Sequence, residues 1–138
     1  MRVGKLTLIV MLAGAVFAPS ALAAPGKLIA KESDSGLPIA VSTTGRALQP
    51  RALLVRITAT PNEPVQVSWD TSCASGAKGK VREGDYIVTG RDLVRIKKGG
   101  FRRPDDCLVN VLAAYEDAAL GGTIKIEIFA RGRFARRG

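Results

Sequence analysis

The sequence predicts an all-β chain: one antiparallel β-sandwich of about seven strands behind a cleaved signal peptide. Three observations carry that expectation. Apolar and polar residues alternate with a period of two along 53–60, 65–73, 107–115 and 123–130, the pattern of strands with one buried face. These runs are separated by short segments rich in Gly, Pro, Asn and Asp, the residues of turns. No stretch after residue 24 shows a helical period, and neither an internal repeat nor a second domain is visible.

Residues 1–23 have the composition of a signal peptide. Arg2 and Lys5 form a basic start, Leu6–Phe17 is apolar apart from Thr7 and Gly14, and Ala21-Leu22-Ala23 supplies the small residues that a signal peptidase needs. The apolar run is short for a membrane anchor, the alternative reading, and no cysteine near the cleavage point would take a lipid. Cleavage after Ala23 or Ala24 removes two bases and no acid, so the formal charge falls by two from +9. The expected location is secreted, either extracellular or periplasmic. Two cysteines in an exported chain make one disulfide, Cys73–Cys107, and closing that loop stabilises the fold by about 3–4 kcal/mol on the chain-entropy model.

Residues 24–36 form an N-terminal arm or an edge strand around Leu28-Ile29-Ala30, with Glu32–Gly36 as a turn. The sandwich domain is expected over 37–131. Its first strand places Ile39 and Val41 on one face and gives way to a loop through Thr44-Gly45-Arg46 and Gln49-Pro50-Arg51. Along 53–60, Leu53, Val55, Ile57 and Ala59 share a face, and their β-branched content favours a strand. Pro61-Asn62-Glu63-Pro64 connects this strand to the next, so that the two are neighbours or cross between sheets. That next strand is the anchor of the chain: Val65, Val67 and the single tryptophan, Trp69, face the core, and Cys73 fixes its end. Residues 74–79 read as a loop, 80–82 as a short strand and Glu83-Gly84-Asp85 as a turn. Residues 86–96 read as one bent strand bulged at Gly90. A loop over 97–104 leads to the strands 107–115 and 123–130, expected to pair as a hairpin, and 132–138 is a basic tail.

The tryptophan strand, followed by Cys107-Leu108-Val109-Asn110-Val111 and a hairpin, resembles the immunoglobulin-like and fibronectin-type β-sandwiches of secreted bacterial proteins, over Leu37–Arg131. In antibody-type domains a cysteine precedes the tryptophan by about a strand, whereas Cys73 follows Trp69, so their inter-sheet bridge is absent. The bridge here would tie the end of one strand to the start of another. The resemblance implies architecture and no function.

Antiparallel strands in such a sandwich would gather charge at its two ends. One end would hold both cysteines and the basic loops with Arg46, Arg51, Lys78, Lys80, Lys97, Lys98, Arg102 and Arg103, then the tail with Arg131, Arg133, Arg136 and Arg137. The other would receive Glu32, Asp34, Glu63, Glu83, Asp85, Glu116 and Asp117, with Asp70, Asp105 and Asp106 as exceptions that temper the basic end. The segments 97–103 and 131–137 each set a phenylalanine, Phe101 or Phe134, among four bases. The candidate anion-binding residues are therefore Lys97, Lys98, Arg102, Arg103, Arg131, Arg133, Arg136 and Arg137, because guanidinium and ammonium groups grip phosphate, sulfate or carboxylate. The plainer alternative is a solvated loop and a frayed basic end, with Phe101 packed on the sandwich edge.

Other chemistry finds no support. The chain has no histidine, which removes histidine-based nucleophilic triads and histidine metal sites. It lacks a nucleophile elbow, a phosphate-loop spacing and a twelve-residue calcium loop, and no pair of carboxylates stands out for glycoside hydrolysis. No metal and no cofactor is expected. The sequence thus leads to a secreted, non-catalytic binding or structural module at the cell envelope, attached to an anionic polymer or polysaccharide through a basic end, with a membrane surface as a further partner. The alternatives are a small secreted enzyme inhibitor or hydrolase, and a nucleic-acid binder, which export disfavours.

Overall fold

The computed structural model describes residues 25–102 and 104–132; the segment 1–23, expected to be a signal peptide, Arg103 and the tail residues Arg133, Arg136 and Arg137 lie outside them. The described residues form eight strands and no helix. These are β1 (Lys27–Gly36), β2 (Ala40–Leu48), β3 (Pro50–Thr60), β4 (Pro64–Ser75), β5 (Lys78–Thr89), β6 (Arg91–Ile96), β7 (Asp106–Tyr115) and β8 (Gly122–Gly132). They make two four-stranded antiparallel sheets, ordered β1-β8-β3-β6 and β2-β7-β4-β5.

The alternation seen in the sequence fills the space between the sheets. Leu53, Val55 and Ile57 of β3 and Ile124, Ile126 and Ile128 of β8 meet Val65 and Val67 of β4 and Val109 and Val111 of β7, all buried. Burying each such side chain stabilises the fold by about 1.5–3 kcal/mol. The two sheets could not separate without exposing this whole layer.

Only β4 and β5 are consecutive strands that pair with each other; every other connection passes from one sheet to the other. This order is the winding of a jelly roll, a two-sheet sandwich of eight strands built from two Greek keys. In the antibody constant-type partition the first two strands share a sheet, whereas β1 and β2 lie in opposite sheets here. The strand order therefore departs from that partition, and what the described residues form is two antiparallel sheets face to face.

Several local expectations are corrected. Glu32–Gly36 is not a turn: β1 continues through it, paired with Gly122–Ile126 of β8. Thr44-Gly45-Arg46 lies inside β2, and the chain turns at Gln49, whose φ is +45°. Gly45 is buried there because Ile29 and Ala30 of β1 sit on it; a Cβ would lie 3.0 Å from Ile29 Cδ1. Glu83-Gly84-Asp85 is likewise not a turn but the middle of β5, where Gly84 faces Trp69 across the ladder. The indole occupies the space a side chain at 84 would need, leaving 2.7 Å from its Cζ2 to a Cβ. Both glycines are there for close packing, not for bending. Residues 86–96 are not one bulged strand. The chain leaves β5 at Thr89, passes through Gly90 at φ +75° and enters β6 in the other sheet. Finally, 107–115 and 123–130 are not a hairpin, since β7 and β8 belong to different sheets.

Candidate functional site

The ladders define the ends of the sandwich. Leu48 faces Asp106, Ala74 faces Asp106, Ser75 faces Lys78, Pro50 faces Gly132 and Leu53 faces Ile96. One end therefore gathers the β2–β3 turn, the Gly76-Ala77 hairpin turn, the β6–β7 loop and the exit of β8. Glu63, Glu116 and Asp117 lie in connections at the far end. Glu83 and Asp85 do not join them, because β5 carries them along the middle of a sheet.

Cys73 and Cys107 are direct cross-strand partners on β4 and β7, joined by a buried disulfide with Cα atoms 4.1 Å apart. The bridge lies within one sheet and ties the end of β4 to the start of β7. It also seats the basic loop that follows β6. The Gly99 amide donates to Cys73 Sγ at 3.4 Å, and the buried Thr71 hydroxyl donates to the Lys97 carbonyl at 2.7 Å. Any side chain at Gly99 would meet the Lys80 carbonyl at 2.8 Å and Cys73 Cβ at 3.1 Å. The loop thus lies directly on the bridge and is held by groups that water does not reach.

Held in this way, the loop walls an open groove of about 590 Å³, lined by Arg51, Ala52, Arg82, Arg95, Ile96, Lys97, Lys98, Gly99, Gly100, Phe101 and Arg102. Six of these are bases and none is an acid. Arg51, Arg82, Arg95, Lys97 and Arg102 are exposed, so their charge is available to a ligand. Lys98 has a different part. Its Nζ donates to the carbonyls of Pro50 at 3.0 Å and Arg102 at 2.9 Å, clamping the loop onto β3. Phe101 is half-buried against the core, and Lys80 Nζ stands 5.4 Å from its ring centre, so one face of the ring holds a cation.

Lys97, Lys98 and Arg102 therefore come together as the sequence implied, joined by Arg51. Arg82 and Arg95, absent from the sequence-derived set, complete the wall. The available signal was alternation: Arg95 lies between the inward Val94 and Ile96, so it must point outward. Arg131 stands apart on β8, with Nε donating to the Pro25 carbonyl at 3.2 Å. Arg103, Arg133, Arg136 and Arg137 lie outside the described residues.

A second concavity, of about 440 Å³, lies on the β2-β7-β4-β5 sheet and has the opposite character. Ser42, Thr44, Ser68, Asp70, Glu83, Asp85 and Asn110 line it, together with the half-buried Trp69. A chain of hydrogen bonds crosses three strands here. Thr44 Oγ1 donates to Asn110 Oδ1 at 2.7 Å, and Asn110 Nδ2 donates to Asp70 Oδ1 at 2.8 Å.

On the outer side of β3 and β8, Arg56 meets Glu127 through two bonds of 2.9 and 3.0 Å, and Lys125 Nζ approaches the same carboxylate at 3.4 Å. The Arg56 hydrogen bonds, helped by the charges of Arg56 and Lys125, hold the Glu127 carboxyl below the usual carboxylate range, against the opposing effect of burial. Arg56 also lies 4.9 Å over the Phe129 ring.

Among the described residues, no group of three or more Cys, Asp or Glu side chains is placed to hold a metal ion. No family model, curated protein or solved structure matches the chain. The reading of its function rests on the groove itself.

Proposed function

We propose that the chain is an exported, non-catalytic β-sandwich module that attaches to an anionic polymer of the cell envelope through its disulfide-anchored basic end. The observation that carries this reading is the groove walled by Arg51, Arg82, Arg95, Lys97, Lys98 and Arg102 with no acidic side chain in its lining. Arginine supplies planar, paired donors for phosphate, sulfate or carboxylate, and several bases along one open groove suit repeated charges on a polymer. Exposed phosphate-type contacts are individually weak and additive, so binding should be strongly salt-dependent.

The test is chromatography on an immobilised polyanion such as heparin, developed with a salt gradient. The parent chain is expected to elute late. The Arg51→Gln/Lys97→Gln/Arg102→Gln variant should elute much earlier, its salt dependence reduced by on the order of one unit of slope for each base removed. These side chains are exposed, so folding should be unaffected. Early elution of the parent, or unchanged elution of the variant, would end this reading.

A further inference from the structure

The outer faces of the two sheets carry opposite charge. On the β1-β8-β3-β6 sheet the register places Lys31, Glu127, Arg56 and Leu93 in one row and Lys125, Thr58 and Arg91 in the next, with Arg95 and Arg131 nearer the basic end. The carboxylate in these rows, Glu127, is buried and already committed to Arg56 and Lys125. On the β2-β7-β4-β5 sheet the corresponding rows are Thr44, Asn110, Asp70, Glu83 and Ser42, Leu112, Ser68, Asp85. Three carboxylates thus sit within two adjacent rows, and the base on this outer face, Arg46, is bridged to Asp106 at 2.9 Å. Both faces also expose apolar side chains: Leu93 at 43% on the basic face, and Leu108 at 45% and Leu112 at 48% on the acidic one. Single exposed leucines mean little, but set among charges of opposite sign on the two sheets they give each face both parts of a contact surface.

We propose that the acidic face of one copy docks on the basic face of a second copy, head to tail. The contact is heterologous, so each copy keeps one face open and further copies can add. Four strands about 4.8 Å apart and some 30 Å long offer on the order of 500–600 Å² per copy, less than the roughly 800 Å² per partner of a standard stable interface. The association is therefore weak and depends on its charges. The positive net charge of the chain opposes it, but at about 0.1 M salt the Debye length is about 10 Å, which screens distant charges more than those in contact. Association is strongest near that ionic strength and is lost near 1 M. This contact uses the sheet faces, not the basic groove, with Arg95 alone common to both.

Sedimentation equilibrium of the full chain as a function of salt tests the proposal. The expected result is reversible association whose constant falls at least tenfold between about 0.1 M and about 1 M salt. Two variants divide the contact: Asp70→Asn/Glu83→Gln/Asp85→Asn removes the acidic side, and Lys31→Glu/Arg91→Glu removes the basic side. Each alone should be monomeric, while their mixture should form one-to-one dimers that grow no further, since each retains one intact face. A parent that stays monomeric throughout, variants that associate like the parent, or a mixture that gives no dimer would each overturn the proposal. The near-ultraviolet circular dichroism of Trp69 reports whether each variant is folded. Retention of the acidic-face variant on heparin separates failure here from failure of polyanion binding, because that variant leaves the groove intact.

Discussion

The two sheets of this sandwich are stitched by different chemistry. In β2-β7-β4-β5 the central strands β4 and β7 are joined covalently through Cys73 and Cys107, and the uncharged Thr44 and Asn110 pass hydrogen bonds to Asp70 across the outer face. In β1-β8-β3-β6 the central strands β8 and β3 are joined by an ion pair, Arg56–Glu127, flanked by Lys125 and capped on Phe129. A covalent link does not respond to pH or salt, whereas an ion pair responds to both. The difference teaches that the central link of one sheet is insensitive to pH and salt, and it is this sheet that supports the basic loop through Gly99 and Thr71.

The comparison is broken most severely by removing the bridge. Cys73→Ala/Cys107→Ala should lower stability by about 3–4 kcal/mol in urea unfolding, with little dependence on pH. It should also weaken polyanion retention, because the 97–102 loop loses the surface on which it rests. Undiminished retention by the folded variant would show that the loop does not need the bridge.

Glu127→Gln is expected to cost about 2 kcal/mol at neutral pH, since it strips a partly buried guanidinium of its partner. The sign of the pH effect follows from the lowered carboxyl. The ion pair contributes fully above the unfolded carboxyl value of about 4.3, and its contribution is lost as the pH falls through the lower folded value. The stability gap between parent and variant should therefore close in acid, whereas the gap caused by the missing disulfide should not. Unfolding curves at about pH 7 and at about pH 3 distinguish the two.

Asn110→Ala removes a side chain that both receives from Thr44 and donates to Asp70, and should cost about 1 kcal/mol because the site is only partly buried. The smallest effect is expected at Tyr86, which faces inward from the edge strand β5. Among the described residues its buried hydroxyl finds no hydrogen-bond partner, and burial, with the nearby charge of Asp92, raises its pKa. Tyr86→Phe should be neutral or stabilising by up to about 1 kcal/mol, measured by thermal unfolding. A clear loss of stability would reveal a partner for that hydroxyl.

The all-β character, the inward residues of β3, β4, β7 and β8, and the position of the disulfide at the ends of two strands were all legible in the residues. Each depends on a local rule: side chains alternate along a strand, and two cysteines in an oxidising compartment join. The grouping of Lys97, Lys98 and Arg102 with Arg51 was also legible, because antiparallel strands return their loops to the same end. That grouping survives two local departures along β5 and β6. A turn placed at Glu83–Asp85 and a continuous strand through Gly90 imply the same number of reversals as the real path, which runs straight through 83–85 and changes sheet at Gly90.

What tertiary structure alone decided is which strands lie together and what their glycines are for. Gly45 and Gly84 look like turn residues in the sequence, yet each serves in a strand where Ile29 or Trp69 needs the room. The jelly-roll order, the opposite charge of the two outer faces and the recruitment of Arg82 and Arg95 to the groove depend on pairings between residues far apart in the chain. Alternation fixes which side of its own strand a residue occupies. It carries no information about the neighbouring strand, because many pairings bury the same apolar residues and only simultaneous packing of all eight strands selects among them.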